Sequence, residues 1–176
     1  MRSEMEELLV NRVANSSLVT IDLEAFYPEG EVVPFDLKDH LFMGLILKEK
    51  EFREALKAHD WSRYAGKNLA VFCSADAIIP MWAYMLVASY AGAYARDIVL
   101  GTPDQFAEIA YLKKLAALDP ADYAGKRLVI KGCSDKPVPP SAYLEITRLL
   151  QPVAQSIMFG EPCSTVPVYK KAKSEG

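Results

Sequence analysis

Apolar positions recur along this chain at two spacings, and each spacing predicts a kind of element. Asn68–Phe72 and Arg127–Lys131 are apolar runs of strand length, and Tyr-Ala-Gly-Lys precedes each of them with a glycine suited to a turn. Pro80–Tyr94 and Pro140–Ala154 read as helices that open on a proline, which the first helical turn tolerates. Asp97–Leu100 and Ser156–Phe159 are the next strands, each stopping at a glycine. Between these blocks, Phe106, Ile109, Ala110, Leu112 and Leu115 fall at helical spacing within Pro103–Leu118. Upstream, Leu18–Leu23 resembles a strand, Glu31–Asp36 an extended piece broken by Pro34, and Leu45–Lys48 a third. Pro28-Glu-Gly30 marks a turn, and Lys50–His59 places Phe52, Ala55, Leu56 and His59 on one side of a helix.

The order repeats. At an offset of 59 residues, the separation of Asp60 from Asp119, Tyr64-Ala-Gly-Lys67 meets Tyr123-Ala-Gly-Lys126, and Leu69, Asp76, Pro80, Ala83, Tyr84, Gly101 and Pro103 all meet identical residues. The copies are residues 60–103 and 119–162. Strand, helix and strand in this alternation predict an α/β fold: a mainly parallel sheet with right-handed crossovers and helices on both faces, containing an internal strand-helix-strand duplication. A single domain over residues 1–176 is expected, with a charged tail, 170–176, that frays.

Composition narrows the class. A chain of 176 residues, 51% hydrophobic and 24% charged, has the make-up of a globular protein. Twenty Lys and Arg against 23 Asp and Glu give a net charge of -3 and no basic excess, which argues against nucleic acid as a partner. The acidic start lacks the ordered regions of a signal peptide, so a cytoplasmic location is expected. Ala77–Ala95 is 19 residues without a charge, close to a membrane span. Its counterpart in the second copy carries Glu145 and Arg148, so the segment reads instead as a deeply buried helix, covered by the sheet or by the second subunit of a homodimer.

The candidate chemistry lies in the cysteines. Cys73 and Cys133 directly follow predicted strands, and Cys163 follows the strand that ends at Phe159-Gly160. In one parallel sheet all three would occupy the carboxyl rim, where open α/β sheets bind ligands. Three thiolates suit zinc or an iron-sulfur cluster, with a fourth ligand from His59, Asp76, Asp135 or solvent. The spacings match no metal signature, and two other readings stay open: buried structural thiols beside Ser and Asp helix caps, or one reactive thiol. Other chemistries lack their motifs. No phosphate-cradling glycine loop, nucleophile elbow or His-Glu-x-x-His helix occurs. The positions six residues after the cysteines, where a thiol phosphatase needs arginine, are Ile79, Pro139 and Tyr169.

Asn11-Arg-Val-Ala-Asn-Ser16 with Ile21-Asp-Leu23, Cys73-Ser-Ala-Asp-Ala-Ile-Ile-Pro80, Lys131-Gly-Cys-Ser-Asp-Lys-Pro-Val-Pro139 and Gly160-Glu-Pro-Cys-Ser-Thr-Val-Pro167 together resemble an uncharacterised family, the domain of unknown function numbered 2480. The resemblance runs from about Asn11 to Tyr169 and implies a cytosolic protein of the Bacteroidota whose gene neighbours the sulfur-mobilisation iron-sulfur assembly system. It transfers no catalytic residue. Three functions follow as expectations: an iron-sulfur assembly accessory binding a metal or cluster through its three cysteines, with assembly proteins as partners; a non-catalytic interaction or scaffold module forming a homodimer; or a thiol-dependent enzyme.

Overall fold

A computed structural model describes residues 10–12, 18–132, 135–161 and 163–172. In chain order it contains β1 (Val10–Arg12), β2 (Leu18–Asp22), β3 (Val32–Asp36), α1 (Glu49–Ala58), β4 (Asn68–Phe72), α2 (Met81–Ala91), β5 (Asp97–Leu100), α3 (Pro103–Ala116), β6 (Arg127–Lys131), α4 (Pro140–Leu150), β7 (Ser156–Glu161) and β8 (Ser164–Lys170). The chain divides into two compact units: a split unit built from Met1–Pro28 and Ala110–Gly176, and an inserted unit, Glu29–Ile109.

The split unit holds a five-stranded sheet, ordered β1-β2-β6-β7-β8. Its centre is parallel, with Leu18 opposite Arg127 and Arg127 opposite Ser156, while β1 and β8 add antiparallel at the edges. The inserted unit holds a parallel three-stranded sheet, β3-β4-β5, with Val32 opposite Asn68 and Asn68 opposite Asp97. This corrects the expectation of one mainly parallel sheet: the equivalent runs β4 and β6 lie in different sheets. The physical reason lies upstream, since β2 pairs with β6 whereas β3 pairs with β4.

Helices on both faces were also expected, and the cores correct this too. In the split unit, Tyr111 and Leu115 of α3 and Ala142, Ile146 and Leu150 of α4 join one cluster with Val19, Ile21, Leu128, Ile130 and Ile157. In the inserted unit, Phe52 and Leu56 of α1 and Ala83, Val87 and Ala91 of α2 gather around Phe35, Leu69 and Val71. Each pair of crossovers steps in one direction across its sheet, and right-handed connections of that kind place their helices on the same side. Burying each Val, Leu, Ile or Phe side chain of these cores contributes about 1.5–3 kcal/mol.

Four short 3-10 turns share one device. Asp22, Asp36, Asp60 and Asp119 each accept the backbone N–H two residues on, from Glu24, Lys38, Ser62 and Ala121. Gly66 and Gly125 then turn the chain in the left-handed region, at φ of 70° and 69°, before β4 and β6.

Two further expectations change. Leu45–Lys48 is not a strand: Phe42 and Ile46 form an isolated antiparallel bridge around Met43, Gly44 and Leu45. The apolar helix is not wholly covered either. It ends at Ala91 and buries Ala83, Val87 and Ala91, whereas Met81 and Met85 are each 71% exposed. Absence of charge sets no requirement for cover all round, because one buried stripe is enough to dock a helix. No helix among the described residues is long and apolar enough to cross a membrane.

Candidate functional site

Asp22, Lys131 and Glu161 stand at the carboxyl ends of three neighbouring strands, where the split unit's parallel ladder opens. The Lys131 ammonium lies 3.2 Å from Asp22 Oδ2 and 3.9 Å from Glu161 Oε1. The hydrogen bond to Asp22, then the charges around it, hold Lys131 above its ordinary range. It is a fixed cation, unsuited to act as a neutral amine nucleophile. Asp22 also caps the Glu24 N–H at 3.0 Å, and Glu24 accepts the Asp135 N–H at 3.3 Å. Close by, Tyr111 is fully buried with a hydroxyl that meets no hydrogen-bond partner. Burial first, and then Glu24, Tyr27 and Asp22, push that hydroxyl up to about 12.

The inserted unit has a parallel arrangement at the end of β3. Asp36 accepts the Lys38 N–H at 3.0 Å and grips Ser74, taking its N–H at 3.0 Å and its hydroxyl at 2.5 Å. Burial disfavours the Asp36 charge, but the bonds from Ser74 and Lys38 outweigh it and hold the carboxyl below its usual range. These aspartates were missed as site residues, although Ile21-Asp-Leu23 and Phe35-Asp-Leu37 share a legible pattern.

The predicted ligands fall on both units. Cys73 follows β4 in the inserted unit's sheet, half-buried, its thiol donating to the Ala75 carbonyl at 3.5 Å. Cys163 is exposed in the turn joining β7 to β8 of the split unit. Cys133 lies outside the described residues. The expected rim of a single sheet is therefore corrected for Cys73 and Cys163, because their strands belong to different sheets. Asp76 and Asp135 are exposed. His59 is held as a packing residue, with Nε2 at 2.9 Å from the Tyr64 hydroxyl and its ring against Phe35, Trp61 and Tyr64. Burial, then Arg63, lowers its pKa. Among the described residues, no group of three or more His, Cys, Asp or Glu is placed to hold a metal ion.

A third feature is apolar. Between α4 and the strands β6, β7 and β8 runs an open groove of about 880 Å³, lined by Ile130, Pro140, Tyr143, Leu144, Thr147, Arg148, Gln151, Ile157, Met158, Phe159 and Val168. Leu144 is 76% exposed, and Phe159 and Val168 also reach solvent. Tyr143 fixes one wall: its hydroxyl donates to the Gly132 carbonyl at 3.0 Å, and its ring meets Phe159 edge-on. Gly132 permits this approach, since a Cβ there would sit 2.9 Å from that hydroxyl. Arg148, the one charged residue of the lining, is taken up by Glu145 through two hydrogen bonds of 2.9 and 2.5 Å. Exposed apolar surface of this kind is suited to apolar contacts.

Residues 7–171 match the family described as Protein of unknown function (DUF2480), and the chain belongs to it. No curated protein matches the chain, and no solved structure does.

Proposed function

We propose that this protein is a non-catalytic interaction module, homodimeric in its simplest form, with the α4–β8 groove as its binding surface. The observation that supports the reading is the groove itself: apolar side chains stand open to water, and their single charged neighbour is already neutralised. Anilinonaphthalene sulfonate titrated into dilute wild-type protein should fluoresce with saturation, and Leu144→Asp should abolish that saturation while circular dichroism stays unchanged. Equal dye binding in the two proteins would sink the reading.

The competing reading is a metal or cluster held by Cys73, Cys133 and Cys163, with His59, Asp76 or Asp135 in support, and with it a part in iron-sulfur assembly. Anaerobic purification with elemental analysis separates the two, since stoichiometric zinc or iron lost on changing any one cysteine to serine would favour the metal. Selective alkylation of a single cysteine that abolished a measurable turnover would favour a thiol enzyme instead. We also read residues 60–103 of the inserted unit and 119–162 of the split unit as copies of one duplicated strand-helix-strand piece. Support comes from Gly66 and Gly125, whose N–H groups donate to the Tyr94 and Val153 carbonyls at equivalent places.

A further inference from the structure

β5 ends the inserted unit's sheet, and its ladder to β4 fixes which groups face outward. The Gly101 N–H donates to the Val71 carbonyl at 2.9 Å. Alternate residues of a strand turn their N–H and C=O groups to opposite sides, so Val99 shares the β4 side with Gly101, while Ile98 and Leu100 turn theirs to the outer edge. Asp97 Oδ1 takes the Ile98 N–H at 2.8 Å, which leaves the Ile98 carbonyl and the Leu100 N–H for a further strand. The Ile98 side chain packs with Ala83 and Val87 of α2, and Leu100, two residues on, points to the same face and is 64% exposed. In the split unit the matching edge is covered. At the 59-residue offset Ile98 and Leu100 correspond to Ile157 and Phe159, which pair with Tyr169 and Val166 of the antiparallel β8. Pro140, Leu144 and Phe159 of the groove correspond to Met81, Met85 and Leu100, all three of them exposed. The α2–β5 face is thus the counterpart of that groove without its outer strand.

We propose that the strand covering this edge is β5 of a second copy, paired antiparallel about a twofold axis at Val99. This rests on the homodimer of the reading above and names the surface on which the copies meet, leaving the α4–β8 groove free. The register selects a second copy, because β5 matches itself. With Val99 opposite Val99 of the partner subunit, Ile98 stands opposite Leu100 of the partner subunit. The Leu100 N–H of each copy then donates to the Ile98 carbonyl of the other, and these are the groups that Asp97 leaves open. Asp97 falls opposite Gly101 of the partner subunit, so no like charges face each other across the seam. An axis normal to the sheet closes an isologous dimer and carries both α2 helices to one side. Met81 and Met85 of each copy flank the seam there, on a helix without an ionised residue from Met81 to Ala91.

Sedimentation velocity across a concentration series tests the proposal. Wild type reaches a dimer, and Leu100→Pro weakens association by at least about tenfold, because one substitution removes the intersubunit donor from both copies. The Leu100 N–H takes no part in the ladder to β4, so proline there spares the fold, as it does on other edge strands. Leu100→Lys, which sets a charge on the seam, replaces it if circular dichroism shows the proline variant misfolded. Exchange of the wild-type Leu100 amide slows as the concentration rises into the dimer range, and Leu144→Asp dimerises like wild type. A wild type monomeric at every concentration overturns the proposal, and so does a folded Leu100 variant that dimerises like wild type or a Leu100 amide that exchanges no more slowly in the dimer. A monomeric Leu144→Asp protein moves the interface to the groove and also overturns it. Saturable dye binding by a monomeric wild type would leave the groove reading standing while this one falls.

Discussion

His40 and His59 share the ring of Phe35, His40 stacked on it at 5.4 Å and His59 edge-on at 5.6 Å. Burial lowers both from the usual 6.5, with His59 adding to the effect on His40 and Arg63 to that on His59, while Asp39 and Asp60 pull the other way. The unfolded chain therefore takes up protons first. The stability that depends on neutral histidines is complete above pH 6.5 and is lost as the pH falls below it. Urea unfolding should show a lower midpoint at about pH 5 than at about pH 7, and His40→Leu should shrink the difference. An undiminished difference in that variant would remove His40 from the account. Tyr111 makes the second prediction at this scale: with its hydroxyl buried and unpartnered, Tyr111→Phe should leave stability unchanged or raise it by up to about 1 kcal/mol. A clear loss in denaturant unfolding would mean that the hydroxyl is satisfied, as by a buried water. Little of this was legible beforehand. His59 appeared on the apolar side of a helix, but a ring drawn into an aromatic cluster and one offered to a metal leave the same mark on a sequence.

The hairpin of β7 and β8 depends on Gly160, at φ 119°, where a Cβ would lie 2.5 Å from the Ser164 carbonyl oxygen. Gly160→Ala should destabilise the protein by roughly 2–3 kcal/mol by forcing a backbone shift, and thermal unfolding would read it. A cost below about 0.5 kcal/mol would show that the turn relaxes freely. Among the described residues, the inserted unit's β5 has no strand on its outer edge, whereas its counterpart β7 is covered by β8. Asp97 blunts that edge by accepting the Ile98 N–H at 2.8 Å, a common protection for an open strand. Asp97→Ala should raise aggregation on warming, measured by turbidity; unchanged turbidity would assign the protection elsewhere. At this scale the sequence was informative. The periodicities located the four α-helices of the described residues and the central strands, because spacing and turn residues act within a few positions of one another. Leu45–Lys48 failed because a short apolar run does not distinguish a strand from an exposed tip.

Chain topology separates the two units in folding. The inserted unit closes its sheet over short separations, Val32 to Asn68 and Asn68 to Asp97, whereas the split unit must bring Leu18 to Arg127. Loop closure over the longer span costs more entropy before any contact repays it. Pulsed hydrogen exchange during refolding should therefore protect amides of β4 and β5 before those of β2, and the reverse order would refute this. By itself the sequence determined the four α-helices, the central strands, the glycine turns and the repeated order of residues, since all of these depend on neighbours in the chain. Tertiary structure alone decided which strand each copy pairs with, and so placed Cys73 and Cys163 in different sheets. It also decided that the stripe of Ala83, Val87 and Ala91 turns inward while Met81 and Met85 face water. Those outcomes rest on contacts between segments tens of residues apart, and the choice among apolar partners of similar size leaves no local trace in the order of residues.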